Sequence, residues 1–302
     1  MTGPAGEVSA GAGGAGALSR GDSAPGSARC TEVAPEVYVL RYPVLDVNVT
    51  LVTGDGAALV VDTLSTNTQA EELLAAVRRV TRAPLIVVNT HHHFDHCFGN
   101  AVVAGPAASG VPVWAAQETA RLLREYGPAL QRRWSTEWAT IQPELAEGLA
   151  AVTLRPPDHT VHLESTVDVG GRPVLLRHLG RGHTAGDLVV QVPDADVLLA
   201  GDLVEQGGPP TFEDGYPLQW PETMASLLRL TTPATVFVPG HGAVVGREYV
   251  QAQHAELTAL EWLIREGHAD GAPEADVAAK APFGAQAAVA VQRGYAELCG
   301  LG

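Results

Sequence analysis

The chain of 302 residues is short of cysteine, of lysine and of long apolar runs. Its three cysteines, Cys30, Cys97 and Cys299, are too few and too scattered to form a disulfide framework, and they point to a reducing, cytoplasmic setting. Lys280 is the one lysine, and acids outnumber lysine and arginine by 34 to 19, for a formal charge of −15. A nucleic-acid partner requires clustered cations that displace counterions, and no such cluster is present. No apolar run approaches the roughly 20 residues of a membrane span, so a membrane partner is not expected. The first 29 residues are rich in glycine, alanine and serine and lack the apolar centre of a secretory signal. Residues 1–33 therefore read as a disordered extension, and residues 34–302 as one folded domain.

With 46% apolar residues, that domain is large enough for a substantial α/β core. Short β-branched runs at 37–42, 47–54 and 57–62 read as consecutive strands, with a turn at Gly54-Asp55-Gly56. Helical spacing follows over 66–80. The apolar run 84–90 is a strand of the kind buried on both faces. Another strand is expected at 111–115, then a helical insertion over 117–148. Further strands are expected near 152–154, 160–163, 167–169, 173–179, 187–192, 196–202 and 234–240. A helix is expected near 221–230, and helices within 246–298 end the chain. Runs of strands followed by helices occur twice, which suggests two sheets packed face to face with helices outside.

The strand at 84–90 runs directly into "HHHFDH", residues 91–96, where four histidines and an aspartate occupy six positions. Imidazole and carboxylate donors at such spacing suit zinc, iron or manganese. In an extended segment His91 and His93 project to one side and His92 to the other. A turn after Phe94 would bring Asp95 and His96 to a second position beside the first. Further ligands are expected at strand ends, and His183, Asp202 and His241 qualify, each flanked by glycine.

The set His91, His93, Asp95, His96, His183, Asp202 and His241 resembles the metallo-β-lactamase-fold hydrolase superfamily, over roughly residues 36–250. The resemblance implies a four-layer αββα sandwich with the site on one edge. It implies that His91, His93 and His183 hold one divalent metal, that Asp95, His96 and His241 hold a second, and that Asp202 bridges them. Zinc is the usual metal, with iron or manganese in some members. Two cations about 3.5–4 Å apart acidify a shared water and polarise the scissile group, and Asp95 is placed to aim that water and move its proton.

Asp202 narrows the choice, because lactamases of this superfamily usually carry cysteine or serine there. Thioesterases of the glyoxalase II type, lactonases and phosphodiesterases carry the aspartate. Nucleases of the fold need basic exosites or an added domain, which the acidic composition disfavours. Arg247, Arg265, Lys280 and Arg293 do not reproduce the glutathione-binding pattern of glyoxalase II. The expectation is a dinuclear hydrolase of a small ester, thioester or lactone. The alternative is a persulfide dioxygenase of the same fold with one iron at the His91, His93 and His183 position. A phosphodiesterase, a β-lactamase and a non-catalytic metal-binding protein rank below both.

The substrate pocket is expected from the 117–148 insertion, which carries Trp134, and from the loop after Asp202, which carries Phe212, Tyr216 and Trp220. Each of these also has a plain packing reading. Cys97 reads as a buried structural thiol, and His92 as a bystander that packs or supports the ligands. His159, His162, His178, His254 and His268 read as surface or packing residues. Asp62 is either an orienter of a ligand histidine or a strand-end turn residue.

Overall fold

The computed structural model describes residues 30–300, so the expectation of disorder over residues 1–29 lies outside the described residues. Residues 30–33, expected to belong to that extension, are ordered. Thr31–Ala34 forms strand β1, paired antiparallel with β2 (Val37–Tyr42). There follow β3 (Val47–Thr53), β4 (Ala58–Val61), α1 (Asn67–Val80), β5 (Leu85–Val88), α2 (Phe94–Cys97), α3 (Asn100–Val103) and β6 (Val113–Ala116). The helical insertion is α4 (Gln117–Trp138) and α5 (Pro143–Ala150). The second half holds β7 (His159–Val161), β8 (Glu164–Asp168), β9 (Pro173–Arg177), β10 (Val189–Val192), β11 (Val197–Glu205), α6 (Trp220–Arg229) and β12 (Val236–His241). It closes with α7 (Arg247–Ala269), α8 (Glu274–Ala278) and α9 (Gln286–Leu298). The strand expected at 152–154 does not form; Val152 and Leu154 pack beneath α4 instead.

Strand order is β7-β6-β5-β4-β3-β12-β11-β10-β9-β8, with β2 and β1 added alongside β3. The link between halves is narrow, since β3 and β12 pair only at Val47 and His241. This lets the strands fold into two leaves. Alternation along each strand shows the layering. Ala58 and Val60 of β4 face a core shared with Leu73 and Val77 of α1, while Leu59 and Val61 face the other leaf. Leu198 and Ala200 of β11 face Met224 of α6 and Leu257 of α7, while Val197 and Leu199 face the first leaf. The result is the four-layer αββα sandwich. The first leaf's turns and the ends of β11 and β12 meet at one edge, where the ligand residues collect. No helix among the described residues is long and apolar enough to cross a membrane.

Candidate metal centre

Strand β5 lies between β4 and β6 in parallel register and delivers the histidine run to the edge of the sandwich. His93, extended at φ −66° and ψ 149°, ends the run, and α2 begins after it. His93 thus comes from extended chain, while Asp95 and His96 come from a helical turn. The turn is fixed from below. Thr63 N donates to the His96 carbonyl at 2.9 Å, Asn89 Nδ2 donates to it at 3.2 Å, and the Cys97 thiol donates to the His92 and His93 carbonyls.

The other candidate ligands come from the second leaf. His183 lies in the loop between β9 and β10, His241 ends β12, and Asp202 lies inside β11 rather than beyond a strand end. Strands β11 and β12 run parallel, with Gly201 opposite Pro239, which brings Asp202 beside His241. Gly240 makes that approach possible, because a Cβ there would fall on Asp202 Oδ1.

Two groups result. His91, His93, His183 and Asp202 form one, and Asp95, His96 and His241 form another. Asp202 reaches both: its Oδ2 lies 3.5 Å from His91 Nε2, 3.4 Å from His183 Nε2 and 3.2 Å from His241 Nε2. Its Oδ1 lies 3.3 Å from His96 Nε2. Asp95 Oδ2 sits 3.7 Å from His96 Nε2 and 3.5 Å from His241 Nε2.

The outer nitrogens of these rings fix where the lone pairs point. Thr90 donates its amide to Asp62 Oδ1 and its hydroxyl to Asp62 Oδ2, each at 2.8 Å. The hydroxyl therefore accepts from His91 Nδ1 at 3.0 Å, and His91 Nε2 carries a bare lone pair. His96 Nδ1 donates to Asp62 Oδ2 at 2.8 Å, and His241 Nδ1 donates to the Leu45 carbonyl at 2.8 Å. Their Nε2 atoms lie 3.3 Å apart, so both must give up any proton before a cation can sit between them. His93 Nε2 donates to Asp214 Oδ2 at 3.0 Å, which turns the His93 Nδ1 lone pair toward His183 Nε2 at 2.9 Å. Once deprotonated, rings so placed repel each other unless a cation lies between them. His91 Nε2 and Asp202 Oδ1 are buried without any hydrogen-bond partner, a costly state that a metal ion relieves. The residues fit a metal centre, and the second group lacks none of its expected members.

Charge divides the two groups. Burial pushes His183 down to about 3 and His91 well below the usual histidine value, so both stay neutral. Burial also opposes a charge on His96, but Asp202, Asp95 and Asp62 outweigh it and raise His96 to about 9. His241 is raised in the same way, burial being overcome by Asp202 and Asp95. Burial raises the Asp62 carboxyl, yet three donors converge on it, and that geometry makes it the acceptor.

A cavity of about 530 Å³ opens onto this centre. Trp134, expected in the pocket, lines it together with Phe94 and Trp138. Phe212 and Trp220 do not. Both are fully buried and pack on each other, ring centres 5.2 Å apart, in the core beneath the second leaf. Tyr216 also turns away, its ring lying between the Arg181 and Arg293 guanidiniums. The loop after Asp202 passes the cavity at Glu205–Gly208 and again at Thr211, Glu213 and Asp214, and otherwise dives inward. Asp214, which sequence reasoning missed, holds His93 and lies 3.7 Å from His92 Nε2. Burial disfavours its charge, but bonds from His92 and His93 hold its carboxyl far below the usual range. Glu205, also missed, is buried beside His183 Nδ1 at 3.7 Å. No periodic signal marks either residue; only their closeness to Asp202 in sequence hinted at them.

Comparison with known proteins agrees with this geometry. The family profile of the metallo-beta-lactamase superfamily matches residues 42–241. "Metallo-beta-lactamase type 2" of Bacteroides fragilis is 24% identical over 204 residues, covering 67% of this chain and 71% of that protein. The structure of a metallo-beta-lactamase from Pontibacter korlensis superposes with a TM-score of 0.60 at 23% identity, covering 76% of this chain and 99% of that one. A double mutant of the sec-alkyl sulfatase PisA1 superposes with a TM-score of 0.76 at 19% identity, covering 91% of this chain and 51% of that one. At these identities the two structures speak for the fold alone, whereas the family match spans most of the chain and all seven candidate ligand residues. The chain belongs to the metallo-beta-lactamase superfamily and is, at that level, a metallo-hydrolase.

Proposed function

We propose that the protein is a dinuclear metal-dependent hydrolase of an ester, thioester or lactone, with zinc as the favoured metal. The observation that carries this reading is the second ligand group, Asp95, His96 and His241, which converges as fully as the first and shares Asp202 with it. A persulfide dioxygenase of this fold shares much of the ligand set but uses one iron, so metal content and oxygen uptake separate it from the hydrolase.

Two bound divalent cations would supply an acidified water and polarise the acyl oxygen. The chain's residues do the rest. Asp202 holds the two groups in register from inside a rigid strand. Asp95, buried but lining the cavity, has its Oδ2 toward His241 and is positioned to accept the proton of the attacking water and return it to the leaving group. Thr90 and Asp62 lock the His91 and His96 rings, and Asp214 locks His93. Trp134, Trp138 and Phe94 give the cavity an apolar wall that suits a small acyl group and excludes bulk water.

The test is a panel of thioesters, lactones, carboxylic esters, phosphodiesters, a β-lactam and glutathione persulfide, run with protein of known metal content. Turnover of an acyl compound by zinc-loaded protein is expected. Oxygen uptake with persulfide, by protein holding one iron, would overturn the reading.

A further inference from the structure

We infer that the substrate carries a cationic group, seated at the mouth of the metal cavity between α4 and the 205–217 loop; this rests on the hydrolase reading and names its substrate class. Trp134, Glu137 and Trp138 lie at i, i+3 and i+4 on α4 and share one face, and all three line the cavity. Glu213 and Asp214 line the opposite side. Arg133 is the one lysine or arginine lining the cavity among the described residues, and it is already matched: its Nε donates to Glu137 Oε1 at 2.8 Å and its Nη1 lies 3.8 Å from Asp214 Oδ1. Glu213 has no ion-pair partner among the described residues. Three carboxylates therefore share one guanidinium, which leaves net negative charge in the part of the cavity that Trp138 also lines. The two divalent cations of the hydrolase reading act on the scissile group at Asp202, whereas beside α4 an entering anion meets a guanidinium already engaged and repulsion from the other carboxylates. An entering ammonium meets surplus carboxylate charge and the aromatic side chains of Trp134 and Trp138, the pairing that binds alkylammonium ions. The cavity floor is the metal-facing Asp202, whose Oδ1 is buried without a hydrogen-bond partner, so the cationic group and the scissile bond occupy one continuous site.

The test compares three esters of one acyl group: the choline ester, its uncharged carbon isostere with tert-butyl in place of trimethylammonium, and the corresponding sulfonate. The choline ester is expected to show kcat/KM about tenfold above the isostere, with the sulfonate slowest and the preference shrinking as salt is raised. The Glu137→Gln, Glu213→Gln double variant should reduce the preference several-fold. Equal rates for choline ester and isostere, or a preference for the sulfonate, would overturn the inference while leaving the hydrolase reading standing. Binding of choline and of the isosteric alcohol, read by quenching of tryptophan fluorescence, separates the two ideas if none of the esters turns over. Tighter choline binding, weakened in the double variant, would keep the cation site although the hydrolase reading had failed. Equal binding of the two alcohols would remove the cation site.

Discussion

Asp62 is not one of the seven candidate ligands, yet three donors from Thr90 and His96 end on its carboxylate, and through Thr90 it also sets the His91 ring. It adopts φ 69°, a left-handed conformation that aspartate tolerates better than most residues. Asp62→Ala should lower metal affinity about 10–100-fold, the usual effect of removing a residue that orients a ligand. Competition with a coloured chelator measures this, and unchanged affinity would return Asp62 to a turn role. The histidines also set a pH order. Loading the Asp95, His96 and His241 group displaces a proton from His96, held at about 9 in the metal-free protein, so affinity there falls as pH drops below that value, about tenfold per unit for each proton displaced. His183, at about 3, imposes no such penalty on the first group. Acidification from pH 8 to pH 5.5 should therefore release one metal before the other, as metal analysis after dialysis at each pH would show; simultaneous release would contradict the charge division.

Helix α4 closes one side of the cavity and is anchored mainly by Trp134, which packs against Phe94, Phe98 and Leu149 in a satellite core. Trp134→Ala should cost about 3–5 kcal/mol by opening a cavity there, read as a lower denaturation midpoint, and should weaken substrate binding more than metal binding. Strand β12 offers a sharper case. Gly240→Ala would drive a Cβ into the Asp202 carboxylate, so metal content should fall even if the fold survives. Full metal content in that variant would show that Asp202 has freedom to move. The elements also show what was legible in the sequence. Strand and helix periodicity located nearly all of them, and the "HHHFDH" spacing together with glycine-flanked His183, Asp202 and His241 picked out residues that the fold brings together. Strand β1 was missed because a short edge strand on a composition-biased tail lacks the apolar alternation of a buried one. Closeness to Asp202 in sequence suggests a pocket role for Phe212 and Trp220 but does not fix closeness to the cavity, because a loop without periodicity gives no sign of which side chains turn inward. The same lack of periodicity hid Asp214 and Glu205.

At the scale of the whole molecule, the metal centre is a clamp between the leaves. His91, His93, Asp95 and His96 come from the first leaf, while His183, Asp202 and His241 come from the second, and the leaves share only one residue pair along their strand path. Metal bound at both groups should therefore stabilise the fold by mass action, about 2.7 kcal/mol per site at a hundredfold excess over Kd. Stripping with a chelator should lower Tm, and returning zinc should restore it. The acidic balance of the chain, −15, also suits retention of divalent cations at an edge where seven ligands converge. The central claim, that two metals are held with Asp202 common to both, is tested most directly by metal stoichiometry in zinc-loaded wild type and in the His241→Ala variant. Two zinc ions per chain in the wild type and one in the variant are the expected result; one zinc ion per chain in both, with undiminished acyl turnover, would contradict it.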